Sequence, residues 1–227
     1  MKPACLPCRA HAQLAAVCAL VLLVSCSGTL LPKPAQTPAR HTLGDAAAST
    51  TRTATSVVGH APVLIVAQPR AAPGFDSRRL LYLRQPLELE AFAFHEWVEP
   101  PAQLLAPLMV RALQDGSGFR AVLQAPSAAA GGWLLETELT RLQQDFQAQP
   151  SQVHLSLRAV LLDGGTRQVI AWRVLEARVP ATRDDPVAGV QAAQVAVQQV
   201  LKDLTAFCEF ERQRAPIKPV GAAGSAP

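Results

Sequence analysis

Residues 133–142 read WLLETELTRL and residues 153–161 read VHLSLRAVL, two runs in which apolar and polar side chains alternate. In the first, Trp133, Leu135, Thr137 and Leu139 share one parity while Glu136 and Glu138 take the other. In the second, Val153, Leu155, Leu157, Ala159 and Leu161 alternate with His154, Ser156 and Arg158. A period of two sends successive side chains to opposite faces, so each run reads as a strand with one dry and one wet face. Asp163-Gly164-Gly165 supplies turn chemistry after the second run, and Val169 to Ala177 returns as a third strand. A long helix follows. Asp184-Asp185-Pro186 gives it a cap and first turn. Val187, Val190, Ala193, Val197, Leu201 and Leu204 recur every three or four residues, with Gln191, Gln194, Gln198 and Lys202 on the wet side.

Upstream, Pro62-Val63-Leu64-Ile65-Val66-Ala67 is a continuous apolar run that suits a strand buried on both faces. After a turn at Pro73-Gly74, Leu80 to Leu83 and Leu87 to Phe94 read as a hairpin with one face in a core. Pro100 to Gln114 carries Leu104, Leu105, Leu108, Val110 and Leu113 near helical spacing, and Gly116-Ser117-Gly118 offers a stop. Pro107 inside that stretch removes one backbone hydrogen bond, which requires either a late start or a kink. Phe119 to Leu123 reads as a short strand before a small-residue loop from Ala125 to Gly132. The order of elements predicts an α+β fold: a mostly antiparallel sheet with two main helices packed on one face.

The chain ends read differently. Lys2 and Arg9 precede an apolar stretch, Leu14 to Val24, that is too short for a permanent membrane span and reads as the core of an export signal. The stretch ends Leu23-Val24-Ser25-Cys26, which resembles the lipobox of bacterial lipoproteins. That resemblance implies cleavage after residue 25, a diacylglyceryl group on the Cys26 sulfur and an acyl chain such as palmitate on its amine. Two or more chains on one residue make a stable anchor. Ser27 in place of the Asp that retains such proteins in the inner membrane points to the outer membrane, facing the periplasm. Residues 26–61, rich in Pro, Ala, Ser and Thr, read as a lipidated Cys and flexible tether, with a short strand near His41-Thr42-Leu43. Residues 62–212 form the folded body, and 213–227 a disordered Pro/Gly/Ala tail.

Charge and composition exclude several functions. The formal charge of +4 at pH 7 falls by two when Lys2 and Arg9 leave with the signal, and the remaining Arg residues are scattered, so no nucleic-acid footprint exists. Four of the five Cys (Cys5, Cys8, Cys18, Cys26) lie in the signal or at the lipobox; Cys208 alone remains in the body, where a small apolar residue fits a helix's inner face. His41, His60, His95 and His154 have no zinc-site spacing. No G-x-S-x-G elbow or Gly-rich phosphate loop occurs. Asp184 and Asp185 precede Pro186, which makes them caps rather than an acid/base pair, and His154 takes the wet face of its strand. No catalytic constellation, cofactor site or metal site is expected.

The lipobox, the strand Val63-Leu64-Ile65-Val66 and the stretch Leu80 to Phe94 leading into His95-Glu96-Trp97-Val98-Glu99-Pro100-Pro101 occur in that order. A helix, a DGG hairpin with Ala171-Trp172 and a final Asp-Asp-Pro helix complete the series. This series resembles the ABC-type transport auxiliary lipoprotein family over roughly Ala61 to Phe210. The resemblance implies a non-enzymatic part of an envelope-spanning machine for lipids or organic solvents. Its partners would be an MCE-domain periplasmic protein, an inner-membrane permease and an ATPase, with a homo-oligomeric ring in some relatives. Trp97, Phe92 and Phe94 are the candidate interface residues, since aromatic side chains dominate interface energetics. A stand-alone outer-membrane lipoprotein with an assembly role is the alternative. A periplasmic binding protein or hydrolase is a third reading, marked by a large closed cavity.

Overall fold

The computed structural model describes residues 37–44, 61–127 and 132–214. The expected signal, Cys26, most of the tether and the tail from residue 215 lie outside the described residues. Nine strands and two helices are present among those described: β1 (Ala39–His41), β2 (Val63–Val66), β3 (Arg70–Ala71), β4 (Arg79–Gln85), β5 (Glu88–Trp97), α1 (Pro101–Gly116), β6 (Ala121–Gln124), β7 (Trp133–Asp145), β8 (Gln152–Asp163), β9 (Val169–Pro180) and α2 (Pro186–Arg214).

The alternating runs form a meander in which β8 pairs antiparallel with β7 and with β9. Trp133, Leu135, Thr137 and Leu139 face inward; a register shift between Leu139 and Arg141 then moves Leu142 and Gln144 into the inward positions. Val153, Leu155, Leu157, Ala159 and Leu161 are buried as their parity requires. At the β8–β9 turn the Asp163 carboxylate accepts hydrogen bonds from Gly165 N at 3.0 Å, Thr166 N at 2.8 Å and Thr166 Oγ1 at 3.0 Å. The left-handed backbone there falls on Arg167, φ 62°, and not on a glycine.

The other edge of β7 is shared by three strands, all parallel to it. β2 aligns Leu64 with Trp133, β3 aligns Arg70 with Glu138, and β4 aligns Tyr82 with Gln144. β2 also pairs parallel with β6, and β1 parallel with β5; only β4–β5 is antiparallel on this side. The α+β class therefore holds, and the longest ladders, β7–β8 and β8–β9, are antiparallel as expected; the sheet as a whole is mixed, with parallel pairs along its other part. Turn residues announce antiparallel hairpins, whereas parallel partners lie far apart in sequence and leave no local mark. β2, held between β6 and β7, buries Val63, Leu64 and Val66, as a continuous apolar run should.

Both helices cover one face. α1 continues through Pro107 and buries Ala102, Leu105, Ala106, Met109 and Leu113, so the stripe lies one position round from the one the leucine spacing suggested; Leu104 and Leu108 sit at its margin. It ends at Ser117, followed by Gly118 at φ 66°. Arg212 Nε near the end of α2 donates to Ser117 O at 3.0 Å and ties the helix ends together. In α2, Val190, Ala193, Val197, Leu201 and Leu204 are buried with Phe207 and Cys208, while Val187 stands in solvent. Asp185 caps this helix, accepting from Ala188 N at 2.8 Å. Asp184 does not: its carboxylate accepts from Ser151 N at 2.8 Å and fixes the entry to β8.

The expected hairpin forms as β4–β5, but its apolar face is not consistently inward. Leu87 is fully exposed in the turn at φ 67°, and Leu89 and Phe94 are exposed on β5. β1 lies within the segment read as tether, parallel to the end of β5.

Candidate docking face

The alternation that buries one face of the meander leaves the other without a helix among the described residues. On β9, Leu175, Ala177 and Val179 point inward, so Trp172 and Val174 share the outer parity of Glu176 and Arg178. Trp172 is 66 % exposed, and Val169 and Val174 beside it are exposed as well. Trp172 stands opposite Val160, and Val174 opposite Arg158. Two ion pairs border the group: Arg158 with Glu138, and Arg167 with Glu136 at 2.9 Å. The result is a small apolar surface beside charges that are already matched. Exposed pairs of this kind contribute little stability, whereas a bare Trp among Val side chains is the usual kind of interface anchor. The sequence quoted Trp172 only as part of a hairpin signature. Its shared parity with Glu176 and Arg178 was the signal that could have placed it on the surface.

The three aromatic residues proposed from sequence are not brought together as a surface. Trp97 is 2 % exposed and belongs to the core, which corrects its assignment as an interface anchor: a side chain at a strand-to-helix junction is swallowed where the sheet and helices close. Phe92 is half-buried, its ring 4.4 Å from that of Tyr82 and 6.3 Å from that of Phe146. Phe94, 54 % exposed, alone presents most of its ring to solvent.

Titratable groups follow the structural roles. Hydrogen bonds from Ser151 lower the Asp184 carboxyl, and the bond from Ala188 N lowers that of Asp185. Burial pushes the Cys208 thiol up to about 12, which keeps it protonated and unreactive. His154 is half-buried rather than fully wet; desolvation first, then Arg178, holds its ring below the usual imidazole range. No group of three or more His, Cys, Asp or Glu placed to hold a metal occurs among the described residues. No helix among them is long and apolar enough to cross a membrane.

A family model described as the ABC-type transport auxiliary lipoprotein component matches residues 41–205. The chain belongs to this family. The match starts at His41, the last residue of β1, and covers the other eight strands, α1 and most of α2. Among solved structures, this auxiliary lipoprotein is similar to protein XCC0632 of Xanthomonas campestris, described as a member of family DUF330. The two share 26 % identity with a TM-score of 0.61 over 67 % of this chain and 87 % of that one. A second structure, of an uncharacterised protein, is 15 % identical with a TM-score of 0.57 over 77 % of this chain and 98 % of that one, and shows the same fold. Comparison with curated proteins gave no match.

Proposed function

We propose that this chain is the non-catalytic auxiliary lipoprotein of an ABC-type, MCE-protein-containing transport system that moves lipids or organic solvents across the bacterial envelope. Cys26 carries the acyl chains and holds the body at the outer membrane on its periplasmic side. The body braces or receives the MCE-domain protein, whose permease and ATPase lie at the inner membrane, and copies of it assemble into a ring. The family match over residues 41–205 carries this reading. Three observations support it. A lipobox precedes the matched domain. The Asp184 and Asp185 carboxyls serve a loop contact and a helix cap, and the Cys208 thiol lies in the core. The void beside Trp97 and Gly189 is about 10 Å³, far below what an organic ligand needs, and the larger space of about 480 Å³ beside Leu201 and Thr205 is an open groove between the helices rather than the closed cavity a binding protein would have.

The outer sheet face around Trp172, with Phe94 as a second contact, is the surface assigned to the MCE partner. A photo-crosslinking side chain placed at position 172 in living cells should capture that partner, while one at Lys202 on the helix face should not. Capture of no MCE protein from either face, in cells that express it, would remove the transporter reading and leave the stand-alone outer-membrane lipoprotein. Mass spectrometry of the purified protein tests the anchor: the N-terminal peptide must begin at Cys26 and carry acyl mass.

A further inference from the structure

β1 is three residues long, yet it closes the edge of the sheet beside β5, and an imidazole pair holds it there. His41 Nε2 and His95 Nδ1 are 2.9 Å apart, while the rings lie 14° from parallel with centroids 5.2 Å apart. The centroid separation exceeds the N···N distance by about two ring radii, so the rings are end to end rather than face to face. One ring N–H therefore points along the common axis at the lone pair of the other. Beyond the three-residue parallel ladder to β5, the remaining attachments are few. Val98 N donates to His41 O at 2.8 Å, Arg40 pairs with Glu96 at 2.9 Å, and Gln194 Nε2 of α2 donates to Thr42 O at 3.2 Å. Leu43 is buried, and Gly44 packs against Leu108 of α1.

Such a pair tolerates a neutral state and a singly protonated state, because one nitrogen can still accept. With both rings protonated, two N–H groups and two positive charges oppose each other, and the bond is lost. The surroundings offer little relief. Glu96 is already engaged by Arg40 and stands opposite Arg79 of β4; Arg78 donates to Val98 O at 3.4 Å, and the edge of Phe92 approaches His95.

We propose that the His41–His95 pair is an acid-sensitive clasp that keeps β1 on the sheet at neutral pH and releases residues 39–44 when the second proton arrives. Desolvation first, and then His95, hold the His41 ring below the usual imidazole range. A base whose affinity for protons is lowered by docking favours the docked state above the ordinary imidazole range. Docking therefore weakens as pH falls through and below that range. Release detaches residues 39–44 from the edge of the sheet, which adds them to the span between the body and Cys26. That consequence for reach rests on the lipid anchor proposed above, whereas the release itself does not.

Hydrogen exchange read by mass spectrometry on the intact purified protein, labelled across the range from neutral to about pH 4.5 and corrected for intrinsic rates, tests the clasp. Protection of residues 39–44 should fall about tenfold for each unit by which docking depresses the pair's second proton affinity, while β7 and β8 keep theirs. His95→Gln, which keeps a hydrogen-bonding group but does not titrate, should abolish the pH dependence; His41→Gln serves as the second variant should the first fold poorly. Protection of residues 39–44 that is flat with pH, that falls only together with β7 and β8, or that keeps its pH dependence in both glutamine variants overturns the clasp. The mass of the same sample reports acylation at Cys26. An unmodified Cys26 sinks the anchor and leaves the clasp standing, and flat protection on an acylated chain does the reverse.

Discussion

The two flanks of β7 are built by different rules. On one side β8 and β9 run antiparallel for most of its length, joined by short connections and covered by α2. On the other, β2, β3 and β4 each take a few residues of its edge in parallel, drawn from a segment that ends nearly fifty positions earlier. The meander flank is cooperative because each strand's dry face meets the same helix. The parallel flank is a patchwork in which β5 leaves Leu89 and Phe94 in solvent. Stability should therefore concentrate on the meander side, while the parallel side is freer to open locally.

The largest expected effect tests that contrast. Leu157, 0 % exposed at the centre of the meander, should cost about 2–5 kcal/mol when replaced by Ala in urea unfolding. The partly buried Leu83 on β4 should cost clearly less; equal costs would erase the distinction. Next comes Gly189, where an added Cβ would clash with Gln144 Oε1. Gln144 cannot swing aside freely, since its Nε2 donates to Ser151 Oγ at 2.9 Å and to Asp185 O at 3.3 Å. Gly189→Ala should destabilise by about 1–3 kcal/mol, read as a lower denaturation midpoint with unchanged slope.

Asp184 and Asp185 act at the same junction, and both carboxyls are lowered in the folded state. Their stabilisation is complete above the ordinary carboxylate range and is lost as pH falls through and below it. The melting temperature should thus drop in acid, and the Asp184→Asn, Asp185→Asn pair should flatten that slope. Smallest is Trp172→Ala: stability should stay within about 0.5 kcal/mol of the wild type, because the ring is largely in water, while capture of the partner by a photo-crosslinking side chain at position 174 falls. A large loss of stability there would make Trp172 part of the fold's support and not a docking residue. Cys208 supplies an internal probe: with its thiol raised to about 12, alkylation in mild base should proceed only as fast as the meander flank opens.

The same contrast decides what was legible in the sequence. Alternation in residues 133–142 and 153–161 and the helical period after Pro186 are local signals, and β7, β8 and α2 follow them closely. The parallel neighbours of β7 were not legible, since nothing in Arg70-Ala71 or Leu80-Leu81-Tyr82 names a partner downstream. Trp97 misled because an aromatic residue at an element boundary can face either way, and closure of the core decided it. Trp172 escaped notice although its parity with Glu176 and Arg178 marked it as outward. The pairing of His41 with His95 joins residues 54 positions apart, and no spacing rule announces it.

A polypeptide delivered N-terminus first presents β2, β3 and β4 well before the strand that completes them. Until residues 133–145 emerge, the β4–β5 ribbon stands as a lone hairpin, which is marginal in water. Assembly of the sheet must wait for β7, and during that interval the run Val63-Leu64-Ile65-Val66 is a bare sticky segment. The chain's most apolar strand is thus left uncovered until its last-made neighbours in the sheet arrive.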